Sequence, residues 1–284
     1  MAKSAKEPFG YCLNTSTLKG QKLGIERLVA LTAKAGYDGI EPWIGELDEY
    51  VAQGGKLKDL GKRIADYGLT VESAIGFFEF VLDDPTRRRK AFEEAKRNFE
   101  MLRAIGGKRI AAPPFGHQDK PGLNLWKTAE RYAQLCDLGK KFDVVPMLEF
   151  WGFSKSLNKL GEALFVLAEA GHPDACMLCD VYHLYKGESG FGGLRLLGPH
   201  TIGVMHMNDV PKNFSAAKIT DADRVWPGDG IAPLTQIFRD LRDIGFTGPL
   251  SLELFNETYW KMDPLACAKK GLEKTRAAVR KALS

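Results

Sequence analysis

A (β/α)₈ barrel is the fold this sequence predicts, on three observations. Short apolar runs alternate with amphipathic stretches from end to end, the runs number about eight, and polar residues stand at their C-terminal ends. The 284 residues suffice for one such barrel, and no linker or low-complexity stretch divides them, so a single domain over 1–284 is expected. No Gly-x-Gly-x-x-Gly follows the first run, which removes the main support for a dinucleotide-binding sheet.

In chain order, strands are expected at 9–13, 38–41, 70–77, 108–113, 144–149, 175–180, 202–206 and 249–254. Between them, Phe92, Ala95, Phe99 and Leu102 repeat at helical spacing, as do Leu157, Leu160, Leu164 and Leu167, and Leu234, Phe238 and Leu241. Gly36, Gly106, Gly171 and Gly245 each follow such a stretch and precede the next strand, the position of a helix stop.

Composition narrows the function. The charge sum, 40 − 36 = +4, is spread along the chain, and the longest basic block, Arg87-Arg88-Arg89-Lys90, reads as a solvated helix start. Neither a nucleic-acid nor a membrane partner is therefore expected; a small neutral or mildly anionic substrate fits better. No apolar run approaches the roughly 18 to 20 residues of a membrane span, and the start at 1–6 carries charge without an apolar stretch behind it, so a cytoplasmic protein is expected. Five cysteines at irregular spacing argue against a disulfide framework. Cys176 and Cys179 form a Cys-x-x-Cys, but an offset of three within a strand puts them on opposite faces, as core residues. Composition leaves a homo-oligomer open.

Glu41, Glu149, Asp180, His206 and Glu253 stand at or near strand ends, the face on which barrels build active sites. Four of them, Glu149, Asp180, His206 and Glu253, come from strands five to eight. Burying these polar groups is costly without a compensating partner. Three carboxylates and one imidazole make an oxygen-rich site suited to one divalent ion, with Mn²⁺ expected first and Mg²⁺ or Co²⁺ as alternatives. Trp43, Trp151, Phe153, Trp226 and Trp260 follow strand ends, where rings can stack on a cyclic sugar; Trp151 and Trp226 are the foremost candidates. His117, in the loop after strand four, is within reach of the pocket mouth. His172 and His200 fall at the opposite end of the barrel and read as structural. Asp209 is expected to support a ligand by hydrogen bonding, and Asp229 to shape the Pro-Gly-Asp-Gly turn.

Five segments carry a resemblance: Leu148-Glu-Phe-Trp-Gly-Phe153, Asp180-Val-Tyr-His-Leu-Tyr185, His206-Met-Asn-Asp209, Asp223-Arg-Val-Trp-Pro-Gly-Asp-Gly230 and Leu252-Glu-Leu-Phe-Asn-Glu-Thr-Tyr-Trp260. Through them the chain resembles the xylose-isomerase-like TIM barrels, in particular the sugar phosphate isomerase/epimerase group. The last two segments look most like its inosose (2-keto-myo-inositol) isomerase branch. The resemblance implies one divalent metal held by Glu149, Asp180, His206 and Glu253, with Glu149 and Glu253 also the acid/base pair. It makes His183 and Arg224 substrate contacts.

The implied reaction is isomerisation or epimerisation of a ketose or keto-cyclitol through an enediolate, whose charge a divalent metal stabilises. No Gly-rich, basic cluster marks the ends of strands seven and eight, which favours an unphosphorylated substrate. A 3-keto-glycoside lyase or dehydroshikimate-dehydratase-like enzyme is the rival reading, since elimination begins with the same proton abstraction. A silent carbohydrate-binding barrel would need no full ligand set. The trinuclear zinc site of the endonuclease IV relatives is excluded, because Val225 stands where they have histidine and 111–114 holds none.

Overall fold

The computed structural model describes residues 7–284; the charged start at 1–6 lies outside the described residues. Eight strands form close to where the apolar runs predict them: β1 Gly10–Asn14, β2 Gly39–Glu41, β3 Thr70–Val71, β4 Arg109–Ala112, β5 Val145–Glu149, β6 Met177–Asp180, β7 Ile202–Met207 and β8 Pro249–Leu252. All pair in parallel, in the order β3-β2-β1-β8-β7-β6-β5-β4.

The third strand departs from expectation. A ladder over 70–77 is predicted, but β3 ends at Val71, because this segment serves two neighbours at different points. Thr70 and Val71 pair with β2, whereas Ala74 bridges Ile110 of β4. The Ala74 N–H donates to Arg109 O at 3.0 Å and Ala74 O accepts from Ala111 N–H at 3.0 Å, joining the two ends of the sheet.

Between strands run α1 Ile25–Ala35, α2 Ile44–Ala52, α3 Leu57–Asp66, α4 Pro85–Ala104, α5 Leu125–Lys140, α6 Leu160–Ala170, α7 Val181–Lys186, α8 Leu234–Asp243 and α9 Pro264–Leu283. Side-chain oxygens take the amides that a helix start leaves unpaired, Asp84 at α4, Asn124 at α5 and Asp263 at α9. Gly36 and Gly171 end α1 and α6 at φ +94° and +58°, a backbone region costly for other residues. Leu157, expected on the α6 stripe, instead precedes the helix at φ +52°, and is buried from the loop. No described helix is long and apolar enough to cross a membrane.

Strand periodicity then places the chemistry. Cys176 and Leu178 belong to the cluster inside the barrel with Ile75, Ala111, Met147 and Val204, whereas Met177 and Cys179 pack outward in the main core. All five cysteines are free and buried. Alternation therefore points Asp180 inward, two residues after Leu178. Glu149 and His206 likewise follow the inward-facing Met147 and Val204 by two.

Candidate active site

The strand ends converge on a cavity of about 240 Å³, lined on its polar side by Glu149, His183, Asp221, Arg224 and Glu253. The size suits one small molecule. Asp180 and His206, which face each other in register across β6 and β7, are buried next to Arg224 and Glu253 of that lining. The His206 Nδ1 stands 3.2 Å from Glu253 Oε2 and 3.6 Å from Asp180 Oδ2. These three residues offer donor atoms within 4.8 Å of one another. Glu149 stands outside that set, its Oε1 3.6 Å from His183 Nε2.

These residues fit a divalent cation. The His206 Nδ1 is buried without a hydrogen-bond partner, and the two groups it faces are acceptors when ionised. A cation there would give His206 Nδ1 its missing partner and share the two carboxylates with Arg224. The opposite edge of the ring is already engaged, Nε2 lying 2.9 Å from Glu41 Oε2. Burial weighs against a charged His206, but Glu253 and Glu41 raise it above its ordinary range.

Asp180 and His183 are three residues apart, so both face the cavity only if the chain leaves the strand between them. It does, because α7 starts at Val181. Asp180 caps that helix, Oδ1 accepting from Tyr182 N–H at 2.6 Å and from Asn208 Nδ2 at 2.9 Å. Its Oδ2 is left for Arg224 Nη1, at 3.0 Å, and this guanidinium nitrogen also reaches Glu253 Oε2 at 2.8 Å. Arg224 is ion-paired to Asp221 as well, and lies 4.1 Å over Tyr182 and 5.1 Å over Phe255. Burial acts to raise Asp180, but the Arg224 guanidinium outweighs it and holds the carboxyl well below the usual range.

Burial pushes the Glu149 carboxyl well above its ordinary range. It depresses His183 to about 4, so that this imidazole is neutral. The Gly152 N–H donates to His183 Nδ1 at 3.2 Å, which leaves the ring proton on Nε2, beside Glu149. Only glycine serves there, since a Cβ on residue 152 would lie 2.5 Å from the His183 carbonyl. The sequence singled out Trp151 and Phe153 and passed over the glycine between them.

The apolar side of the cavity consists of Trp43, Ile75, Phe77, Trp151, Phe153 and Phe255. Trp151 stacks on Phe153 at 5.1 Å, as expected of a ring-lined pocket, and Phe153 is 42% exposed at the mouth. Two proposed contacts are corrected. Trp226 is buried, stacked on Tyr259 at 4.1 Å and close to Gly271 of α9, and it is not among the residues that line the cavity. His117 occupies the turn after β4 and does not line the cavity; its near neighbour Phe115 reaches that side by stacking on Phe77 at 5.3 Å. Trp260 is likewise elsewhere, its Nε1 donating to Ser16 O. His172 and His200 lie at the far end, as expected; His200 borders a hollow with Arg109 and Asp174.

Asn208, and not Asp209, hydrogen-bonds Asp180, its Nδ2 donating to Oδ1 at 2.9 Å. Asp209 instead folds the loop that delivers Arg224. Its Oδ1 accepts from Val210 and Ala232 N–H and its Oδ2 from Gly228 and Gly230 N–H, all between 2.8 and 3.0 Å. Asp229 turns outward and pairs with Lys274. Replacing Asp209 with Ala strands these amides and is expected to destabilise the protein by about 3 kcal/mol. Urea denaturation measures this, and an unchanged midpoint removes the assignment.

The pattern described as "Xylose isomerase-like TIM barrel" matches residues 29–278. The chain belongs to this family. It is similar, at 27% identity over 274 residues, to an inosose isomerase of Bacillus velezensis, covering 95% of this chain and 97% of that one. A fructoselysine 3-epimerase of Escherichia coli O157:H7 is 25% identical over 271 residues, with 90% and 94% covered. The crystal structure of the IOLI protein with a bound zinc atom superposes with a TM-score of 0.90 over 97% of this chain and all of that one, at 24% identity; that likeness speaks for the fold.

Proposed function

We propose that this xylose isomerase-like barrel is a divalent-metal-dependent isomerase or epimerase of an unphosphorylated ketose or keto-cyclitol of the inosose type. One observation carries the reading: two buried carboxylates reach the same cavity from β5 and from the end of β8, in different surroundings. Glu253 belongs to the cluster with Asp180 and His206, while Glu149 stands apart beside a neutral imidazole. Carboxylates in unlike environments suit opposite halves of a proton transfer. Glu149 removes the proton next to the carbonyl and Glu253 returns it, or the reverse. Asp180, His206 and Glu253, with Glu149 completing the set, would hold the cation, Mn²⁺ being our first choice. When bound, it supplies electrostatic stabilisation of the charge developing on substrate oxygen. His183 donates its Nε2–H to that oxygen, and Arg224, permanently charged, holds the neighbouring one.

The charge inventory supports an uncharged substrate. Among the described residues, Arg224 is the cation of the lining, and Asp180, Glu253 and Asp221 already neutralise it. Lys19 sits on the Trp43 ring, outside the lining. Scyllo-inosose, free ketohexoses, their phosphates and a 3-keto-glucoside, assayed side by side in D₂O, test the proposal. The expected result is turnover of an unphosphorylated keto-cyclitol or ketose with solvent deuterium entering at carbon. Retention of the original hydrogen excludes proton abstraction, preference for a phosphate overturns the charge argument, and release of an aglycone makes the enzyme a lyase.

A further inference from the structure

The ends of β1 and β2 carry a buried polar group that the proposed reaction does not use. Glu41 is fully buried, and its Oε2 is met by Asn14 Nδ2 at 2.9 Å, Ser251 Oγ at 2.7 Å and His206 Nε2 at 2.9 Å. Asn14 in turn donates through the same Nδ2 to Glu253 Oε1 at 3.1 Å. Its Oδ1 accepts from Ser16 N–H and from Trp43 Nε1–H, both at 3.0 Å, so its amide is pinned at both ends. Strand register makes this possible: Asn14 faces Glu41 across β1 and β2, and Ser251 faces His206 across β7 and β8.

The consequence lies in which atoms are turned toward the cluster. Glu41 takes the Nε2 edge of His206 and leaves Nδ1, the edge turned toward Asp180 and Glu253. Asn14 takes Oε1 of Glu253, so that Oε2, which Arg224 Nη1 meets at 2.8 Å, is the oxygen turned toward His206. Glu41 itself is not one of the three groups whose donors converge. We infer that Glu41 and Asn14 are positioning residues for the metal centre, Glu41 making Nδ1 the ligand atom of His206 and Asn14 making Oε2 the ligand atom of Glu253. This rests on the metal reading above and adds which atoms bind and what selects them.

Carboxylate support of a metal-bound histidine is worth about 10- to 100-fold in affinity. Glu41→Gln is therefore expected to weaken Zn²⁺ and Co²⁺ binding by that factor, in competition against a chromophoric chelator, with circular dichroism unchanged. A structural role alone would lower the melting temperature of the metal-free protein and leave the affinity within about twofold, which overturns the inference. A second readout needs no variant at Glu41. In the Zn²⁺-loaded wild type, long-range ¹H–¹⁵N spectra should show His206 protonated at Nε2 and metal-bound at Nδ1, the signal assigned by its loss in His206→Gln. Binding through Nε2 overturns the inference while leaving the metal reading intact. A wild type that binds neither ion overturns both.

Discussion

Glu253→Gln is expected to cost turnover at least about 10³-fold and to leave the protein without its metal, whereas Glu149→Gln should lose about 10²- to 10⁴-fold in turnover with metal still bound. The first figure follows from the several kcal/mol of charge stabilisation a metal contributes, at about 1.4 kcal/mol per factor of ten. The contrast follows from geometry. Glu253 is one of three groups whose donors converge within 4.8 Å, and its Oε2 also receives Arg224 at 2.8 Å. Glu149 lies beside His183, so its loss leaves the Asp180, His206 and Glu253 donors in place. Elemental analysis after chelation and reloading, run with steady-state kinetics, separates the two. About one metal per chain retained in Glu253→Gln, at wild-type turnover, would remove Glu253 from the site.

Much of this site was legible because strand alternation is a local rule. Once β5, β6 and β7 are placed, Met147, Leu178 and Val204 fix the inward side, and the polar residue two positions later points into the barrel. What escaped reading depends on contacts between distant segments. Trp226 and Trp151 both follow strand ends, yet the packing of Tyr259 and Gly271, which no local pattern encodes, buries one while the other lines the cavity. The early end of β3 reflects a choice between two neighbours that exists only in the closed sheet. Glu41 was visible as a strand-end carboxylate. Its bond to His206, 165 positions away, was not. Gly152 leaves no signal beyond its place between Trp151 and Phe153, since its function is to bring one amide against His183.

Replacing Arg224 with Met should destabilise the metal-free protein by about 3 to 5 kcal/mol, and adding metal should recover much of that loss. Removing one partner of a buried ion pair leaves an uncompensated charge, and this is the usual size of the effect. Here the uncompensated charge is doubled, because a single Nη1 serves both Asp180 Oδ2 and Glu253 Oε2 while the side chain is 2% exposed. The guanidinium is also packed over Tyr182 and Phe255, so Met keeps part of the contact area and the loss reports mainly on charge. A divalent cation among Asp180, His206 and Glu253 compensates the same two carboxylates, and binding to the folded state alone adds stability by mass action. Urea denaturation of wild type and Arg224→Met, each with chelator and with saturating Mn²⁺ or Zn²⁺, measures both terms. Equal destabilisation in the two conditions would mean that Arg224 acts through packing and not as a counter-charge to the cluster. Arg224→Lys restores the charge without the planar pair of donors, so it should recover stability yet remain slow in turnover.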